Sequence, residues 1–541
     1  MLDYLNTIYP VRYTVFGLSG FGLLLAIFSL LAFGQGIEIM LLFLLLVGIG
    51  VFDLLQSRRA LLRNYPIIGH LHLLLAYLQP AIGPSAGDSD LSGAPFSRAQ
   101  RALVVQRAQG ASELRPFGTA LAVQAQGYEW LNHSAAPTRM ASHDFRLTIG
   151  ADRARPYSAS VFNISAMSFG ALSANAILAL NAGARRGGFA HDSGEGSISS
   201  HHRVHGGDLI WEIGTGYFGC RNSDGSFNAD QFSNHARDPQ VKMIELKLSQ
   251  GAQPGCASVL PAIKVTPEIA AARGVPTGVD CVSPAAHSAF TTPLQLLQFV
   301  ARLRTIAEGK PTGIKLCIGH PWEWFALVKA MLASGITPDF IVLDGAEGGT
   351  GAAPREFSDH VGAPLEEGLL LVHNTLRGAG LREQIKLGCA GKVTSAFDIA
   401  RLMALGADWC NSARGFMFAL GCIQSQHCHT GQCPTGVATQ DPLRQRSLVL
   451  ADKAQRVYDF HQQSLRALKE LVQAAGLTHP GELTAHHVLR RSGAHQVRSL
   501  AQLMATPLPM GALLQGDLSL LPLVYQQHWP LARADCFTLS I

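Results

Sequence analysis

The chain has 541 residues, 48% of them apolar, with 55 glycines and a formal charge of only +5. Its length gives room for a large barrel with extensions, and its weak charge, with no long Lys/Arg run, offers no electrostatic footprint for nucleic acid. Ten scattered cysteines, three of them in one loop, exclude a secreted disulfide framework and put the catalytic part in a reducing compartment.

No residue between Arg12 and Glu38 is charged, and Val15 to Phe33 is long enough to cross a bilayer. A second apolar run, Ile39 to Phe52, ends at Asp53 and is joined to the first by Gly34-Gln35-Gly36. Together they predict a transmembrane hairpin over residues 1–56. Arg12 before it and Arg58, Arg59 and Arg63 after it put both ends on the cytoplasmic side of the inner membrane, with the rest of the chain in the cytoplasm. A cleaved signal peptide is the competing reading; the immediate second apolar run and the cysteine loop of a cytosolic enzyme favour the hairpin. Residues 57–149 read as an extension packing on the next domain, with an exposed loop over Gly83 to Asp90.

From residue 150 to 442, short apolar runs ending in Gly, Asp or Ser alternate with helical stretches. The runs are Val161–Ser165, Gly188–His191, Ile244–Leu248, Val279–Val282, Ile314–Ile318, Phe340–Leu343, Ile385–Cys389 and Trp409–Ser412, and as buried parallel strands they predict an α/β TIM barrel. Residues 443–541 lose the rhythm: Ala451 to Ala475 reads as one amphipathic helix, and the rest as a mostly helical tail.

In such a barrel the active site lies where the strands end. Ala166, Met167 and Ser168 follow the first run, and their small neighbours let backbone amides approach a flat ring. Glu195, between Gly194 and Gly196, follows the second. Gly348, Gly349 and Thr350 follow the sixth. Gly391, Lys392, Ala413 and Arg414 follow the last two, the usual place for a phosphate held by backbone N–H groups. One phosphate site and no dinucleotide fingerprint point to FMN and not FAD. Cys422, Cys428 and Cys433 then stand at C-x5-C-x4-C spacing with Pro434 behind them. Three thiolates on one loop suit an iron–sulfur core with one corner empty, as in a [3Fe-4S] cluster; a zinc site completed by His427 or His429, or three buried thiols, uses the same residues.

The motifs Met167-Ser168-Phe169-Gly170-Ala171-Leu172-Ser173, Ser193-Gly194-Glu195-Gly196, Gln250-Gly251-Ala252, Gly348-Gly349-Thr350-Gly351-Ala352 and the cysteine loop through Gln440 occur in that order. Over about residues 150 to 445 the chain resembles the FMN-binding synthase domain of glutamate synthases, and most of all its short single-chain members. The resemblance implies an oxidoreductase acting on CH–NH2 donors. 2-Oxoglutarate and ammonia form an imine, N5 of reduced FMN supplies hydride to give L-glutamate, and electrons enter through the cluster from ferredoxin or a reductase subunit. It implies that Lys315 offsets charge at flavin N1/O2 and that Glu195 binds the imine or relays a proton. No stretch resembles the amidotransferase or β-helical domains of the large enzymes, so ammonia is expected free or from a partner.

One departure concerns the substrate. The large enzymes carry Gln-Gly-Ala-Lys-Pro at the stretch that reads here Gln250-Gly251-Ala252-Gln253-Pro254, and Val259 stands where they have a glutamine. Losing a charge-assisted bond to a carboxylate costs about 1.5–3 kcal/mol. Lys264 is then the remaining cation, and Gln253 and Lys264 are the expected substrate residues. Two other readings stay open: the same cofactors acting on a different imine or amino acid, including a dehydrogenase feeding a membrane carrier, and a membrane-tethered redox relay without turnover.

Overall fold

The computed structural model describes residues 9–82, 93–111, 113–504 and 507–539, so the loop expected over Gly83 to Asp90 lies outside the described residues. The two N-terminal apolar runs form helices Thr14–Phe33 and Ile37–Leu55, connected through Gly34 and Gly36 at positive φ. They pack through reciprocal notches. A Cβ on Gly22 would run into the ring of Phe43, and one on Gly50 into the ring of Phe16. Each helix thus seats a phenylalanine against the bare backbone of the other, the small-residue packing that suits an apolar solvent. Leu24, Phe28, Leu31, Leu42, Leu45 and Phe52 point outward and are exposed.

In chain order the strands are β1 (Glu129–Leu131), β2 (Arg146–Ile149), β3 (Tyr157–Ser160), β4 (Phe162–Ile164), β5 (His191–Asp192), β6 (Leu209–Ile213), β7 (Val241–Lys247), β8 (Ser258–Leu260), β9 (Cys281–Ser283), β10 (Thr312–Leu316), β11 (Phe340–Asp344), β12 (Lys386–Ala390), β13 (Trp409–Ser412), β14 (Val488–Gly493) and β15 (Gln496–Ser499). β4, β5, β6, β7, β10, β11, β12 and β13 close into a barrel whose neighbours are all parallel. This is the expected (βα)8 architecture with one strand corrected. Val279–Val282 is outside the barrel: Cys281–Ser283 pairs antiparallel with β8 in the long loop after β7. Val279 and Val282 are about half exposed, at 54% and 50%, whereas Leu209–Ile213, which supplies the third barrel strand, is buried at every position.

The interior is layered by the two-residue period of the strands. At the bottom, Ile210, Met243, Phe340 and Trp409 meet Ile149, Tyr157 and Ala159 of the β2–β3 hairpin, which plugs the barrel. Trp409 lies over Gly388 and Phe340 over Gly313, bulk against bare backbone. Two residues further along β6 and β7 the lining turns from apolar to charged, at Glu212 and Glu245.

Outside the barrel, helix Leu450–Ala474 runs along helix Ala174–Gly187, with Val457 seated on Gly183. The tail beyond it carries strands that the sequence pattern did not signal: β14 pairs with β15 and also with β1, so that both flanks of the barrel join in one small sheet. Arg490 and Arg401 each bridge Glu129 and Glu366, tying that sheet to the barrel helices.

Candidate active site

Charged side chains converge where strands of different sequence regions end together. Along β7, Glu245 and Lys247 follow Met243 at two-residue spacing and face inward with Glu212 of β6, Lys315 of β10, Asp192 of β5 and Asp344 of β11. Three of these groups, with Glu195, alternate in sign along a line. Glu195 meets Lys247 at 3.1 Å, Lys247 meets Glu212 at 3.3 Å, and Glu212 meets Lys315 at 2.6 Å. Burial works against the Glu212 charge, but the two lysines outweigh it and hold its pKa down at about 2. Burial likewise pulls both lysines down. Glu195 and Glu212 reverse this for Lys247, and Glu212, Asp344 and Glu245 for Lys315, which ends well above the usual lysine range.

The remaining carboxyls are not so matched. Burial, then the Asp192 charge, pushes Glu245 well above the carboxylate range, and a hydrogen bond between the two carboxyls adds to it. Burial, then Glu212, raises Asp192 to about 7 although Gly194 N–H bonds its Oδ1 at 3.0 Å. Oxygens of Asp192, Glu212 and Glu245 lie within 4.8 Å of one another. With Glu212 held by two ammonium groups, the other two form a carboxyl pair that retains protons.

The loops above this layer touch. The strand-two loop presses on the strand-one loop at Gly194, where φ is +65° and a Cβ would lie 2.8 Å from Ser168 N; Ala166, Met167 and Ser168 therefore border Glu195. Arg414 donates to the Thr350 carbonyl at 3.2 Å; a Cβ on Gly349 would lie 3.5 Å from the Arg414 guanidinium and one on Gly351 3.7 Å from Cys428 Cβ, so the glycine loop lies against both. Gly391 and Lys392 follow β12, and Ala413 precedes Arg414 after β13. Among the described residues neither Lys392 nor Arg414 has a carboxylate partner; Lys392 lies over the Phe96 ring.

Gln253 is buried in the loop after β7. Lys264, expected beside it, turns its ammonium to the carbonyls of Cys428 (2.9 Å) and Ala171 (3.3 Å), so it joins the cysteine loop to the strand-one loop. Cys422, Cys428 and Cys433 are free thiols, and Gln424 N–H points to Cys422 Sγ at 3.5 Å. Among the described residues the three sulfurs do not converge within 4.8 Å, with or without His427 or His429. Directly after them the chain is bolted to the base of the hairpin: Arg12 pairs with Asp441 at 3.3 Å, Asn64 donates to Pro434 O at 3.0 Å, Arg444 to Tyr65 Oη at 3.0 Å, and Lys453 to Arg58 O at 3.0 Å.

Lys247, Glu212, Glu245, Asp192 and Asp344 had no role in the sequence reading. The signal for the β7 pair was present, charges two residues apart inside an apolar run.

A closed parallel barrel with its charged groups gathered under glycine-rich loops at the C-terminal mouth defines a (βα)8-barrel enzyme. A family model described as the conserved region in glutamate synthase matches residues 140–478. The glutamate synthase large subunit-like protein YerD of Bacillus subtilis (strain 168) is 35% identical over 506 residues, 86% of this chain and 96% of that one. The chain belongs to the glutamate synthase family of oxidoreductases. The archaeal-type glutamate synthase (NADPH) of Thermotoga neapolitana is 32% identical over 334 residues, 61% of this chain, and the archaeal glutamate synthase (NADPH) of Methanocaldococcus jannaschii 35% over 315 residues, 58% of this chain. The match spans 62% and 58% of those two relatives' lengths. The solved flavin-binding domain of baker's yeast flavocytochrome b2 is similar at 12% identity over 73% of this chain and 79% of that one, with a TM-score of 0.40.

Proposed function

We propose that this chain is a membrane-anchored, FMN-dependent glutamate synthase-like enzyme that reductively aminates a 2-oxo acid, with a [3Fe-4S] cluster on Cys422, Cys428 and Cys433 as the port for electrons. The observation that carries this reading is the meeting of the cysteine loop, the glycine loop and Arg414 over a barrel interior with two cationic lysines. The residues suit both groups. Lys392 and Arg414 offer unneutralised charge for one phosphate, and the bare backbone at Gly349 lies beside the Arg414 guanidinium. Three cysteines on one loop suit a core of several irons with one corner empty. When bound, FMN supplies hydride transfer and the cluster one-electron transfer.

The protein's own groups then divide the work. Lys315, held cationic by Glu212, offsets negative charge in the barrel mouth. Glu195, ion-paired with Lys247 and 15% exposed, is placed to hold the substrate nitrogen and move a proton to or from it. Gln253 faces the oxo acid. Domain limits of 1–56, 57–149, 150–442 and 443–541, anchoring at the inner membrane by the hairpin, and a cytoplasmic barrel complete the proposal; two long apolar helices followed by Arg58, Arg59 and Arg63 support it.

A different 2-oxo acid or imine is the second reading, favoured by Gln253 in place of the family's lysine. Both are tested on anaerobically purified full-length protein. Acid extraction is expected to release FMN, and iron analysis with electron paramagnetic resonance to report three irons, the count of the [3Fe-4S] core. 2-Oxoglutarate with ammonia is expected to reoxidise the reduced flavin, and Gln253→Lys to tighten 2-oxoglutarate about tenfold. Released FAD, stoichiometric zinc, or no reoxidation by any 2-oxo acid overturns the proposal; reoxidation only by other oxo acids selects the second reading.

A further inference from the structure

We propose that the hairpin carries a binding site for a lipid-soluble quinol that delivers electrons to the cysteine loop, an inference resting on the membrane and cluster readings above. A groove of about 720 Å³ runs along helix Ile37–Leu55, lined by Leu41, Leu45, Ile49 and Phe52 and headed by Ile67 and His70.

The head is polar by construction. Asp53, fully buried in the last turn of that helix, accepts from Ile67 N–H at 2.9 Å and from His70 Nε2 at 2.9 Å. A carboxylate at the edge of hydrocarbon is costly and marks a working site. With Nε2–H given to Asp53, Nδ1 of His70 is left as an acceptor; no described residue bonds it, and the side chain is 46% exposed. A phospholipid tail matches the apolar walls but leaves this acceptor unused, and a water-soluble donor matches the acceptor but not the walls. A quinol, with an apolar tail and a hydroxyl-bearing ring, matches both.

The place suits delivery. Asn64, three residues before Ile67, donates to the carbonyl of Pro434, the neighbour of Cys433. Three residues reach at most about 10 Å. In the step, the two O–H bonds of the quinol break. Its protons leave in turn through Nδ1 of His70 to cytoplasmic water, and its two electrons pass singly to the cysteine loop. The quinol becomes a quinone, and the imine gains the same two electrons with two protons from solvent to become the amine. The reverse direction oxidises an amine at the expense of a quinone with the same balance.

The test uses the full chain in phosphatidylcholine nanodiscs under anaerobic, reducing conditions and an azido-quinol photolabel with a short tail. Labelling is expected to saturate, to map to residues 41–70, and to be displaced by unlabelled quinol. Gly48→Phe places a ring in the groove from a Cβ position with no atom within 4 Å, and His70→Leu removes the acceptor. Each is expected to weaken labelling about tenfold, the scale of a lost hydrogen bond or a blocked site. Both variants should keep wild-type iron and flavin content, which separates this site from the cofactor reading. Labelling elsewhere, labelling indifferent to both variants, or equal labelling by an azido-alkane with no ring overturns the proposal, the last identifying the occupant as lipid.

Discussion

At the scale of the residue, Asp192 is a buried carboxyl that holds its proton together with Glu245. Its pKa rises from 3.8 to about 7 because burial, then Glu212, disfavours its charge. The folded state therefore holds this proton where the unfolded chain has lost it. The stabilisation is full below about pH 4 and is lost as pH rises to about 7, by on the order of 1 kcal/mol per pH unit. Asp192→Asn keeps an oxygen for Gly194 N–H and removes the titration. Thermal melts of the variant are expected to change less between pH 5 and 8 than those of the wild type, and equal slopes would refute the assignment. Lys315 was legible in the sequence because a lysine between isoleucine and leucine has no surface to reach. Glu212 was not, since its neutralising partners Lys247 and Lys315 come from other strands and nothing local marks it as buried.

At the scale of the element, the loop after β7 is held to the loop after β11 by a near-contact of backbones. Gly251 N–H donates to Asp344 at 3.1 Å, and a Cβ on Gly251 would collide with the carbonyl oxygen of Gly345. Gly251→Ala is expected to cost about 1–3 kcal/mol, as overpacking does, and to loosen Gln253, read as a lower midpoint in urea and faster amide exchange over residues 248–264. A variant as stable as wild type, with unchanged exchange, would show that the two loops are free to part. The misplaced fourth strand has the same kind of cause as Glu212. A strand buried on both faces shows no alternation, so Leu209–Ile213 looks like one turn of a helix, while the valines of Val279–Val282 imitate a strand at a half-exposed hairpin. β14 was hidden for another reason: its partner β1 lies more than 350 residues earlier in the chain, and β15 pairs only with β14.

At the scale of the whole molecule, the exposed apolar surface does not end with the hairpin. Helix Gly69–Ile82 presents Leu71, Leu74 and Leu75, each more than half exposed, beside the groove. Removing residues 1–56 is therefore expected to turn an integral protein into a peripheral one that carbonate strips from membranes but that still floats with liposomes. Removing residues 1–92 should abolish flotation. If the shorter deletion already leaves the protein indifferent to liposomes, that helix has no part in anchoring.

The alternating line Glu195, Lys247, Glu212, Lys315 also limits how such a barrel can drift over generations. Loss of any inner member strands an opposite charge in a dry interior, a penalty of roughly 3–5 kcal/mol, enough to unfold many domains. Loss of Glu195 with Lys247, or of Glu212 with Lys315, is far milder, because the two that remain still pair with each other. Single steps away from this arrangement are thus closed while paired steps stay open, and descendants are expected to differ here by coordinated exchanges or not at all. Double-mutant cycles across Lys247 and Glu212 would register that history as a coupling of about 1–3 kcal/mol.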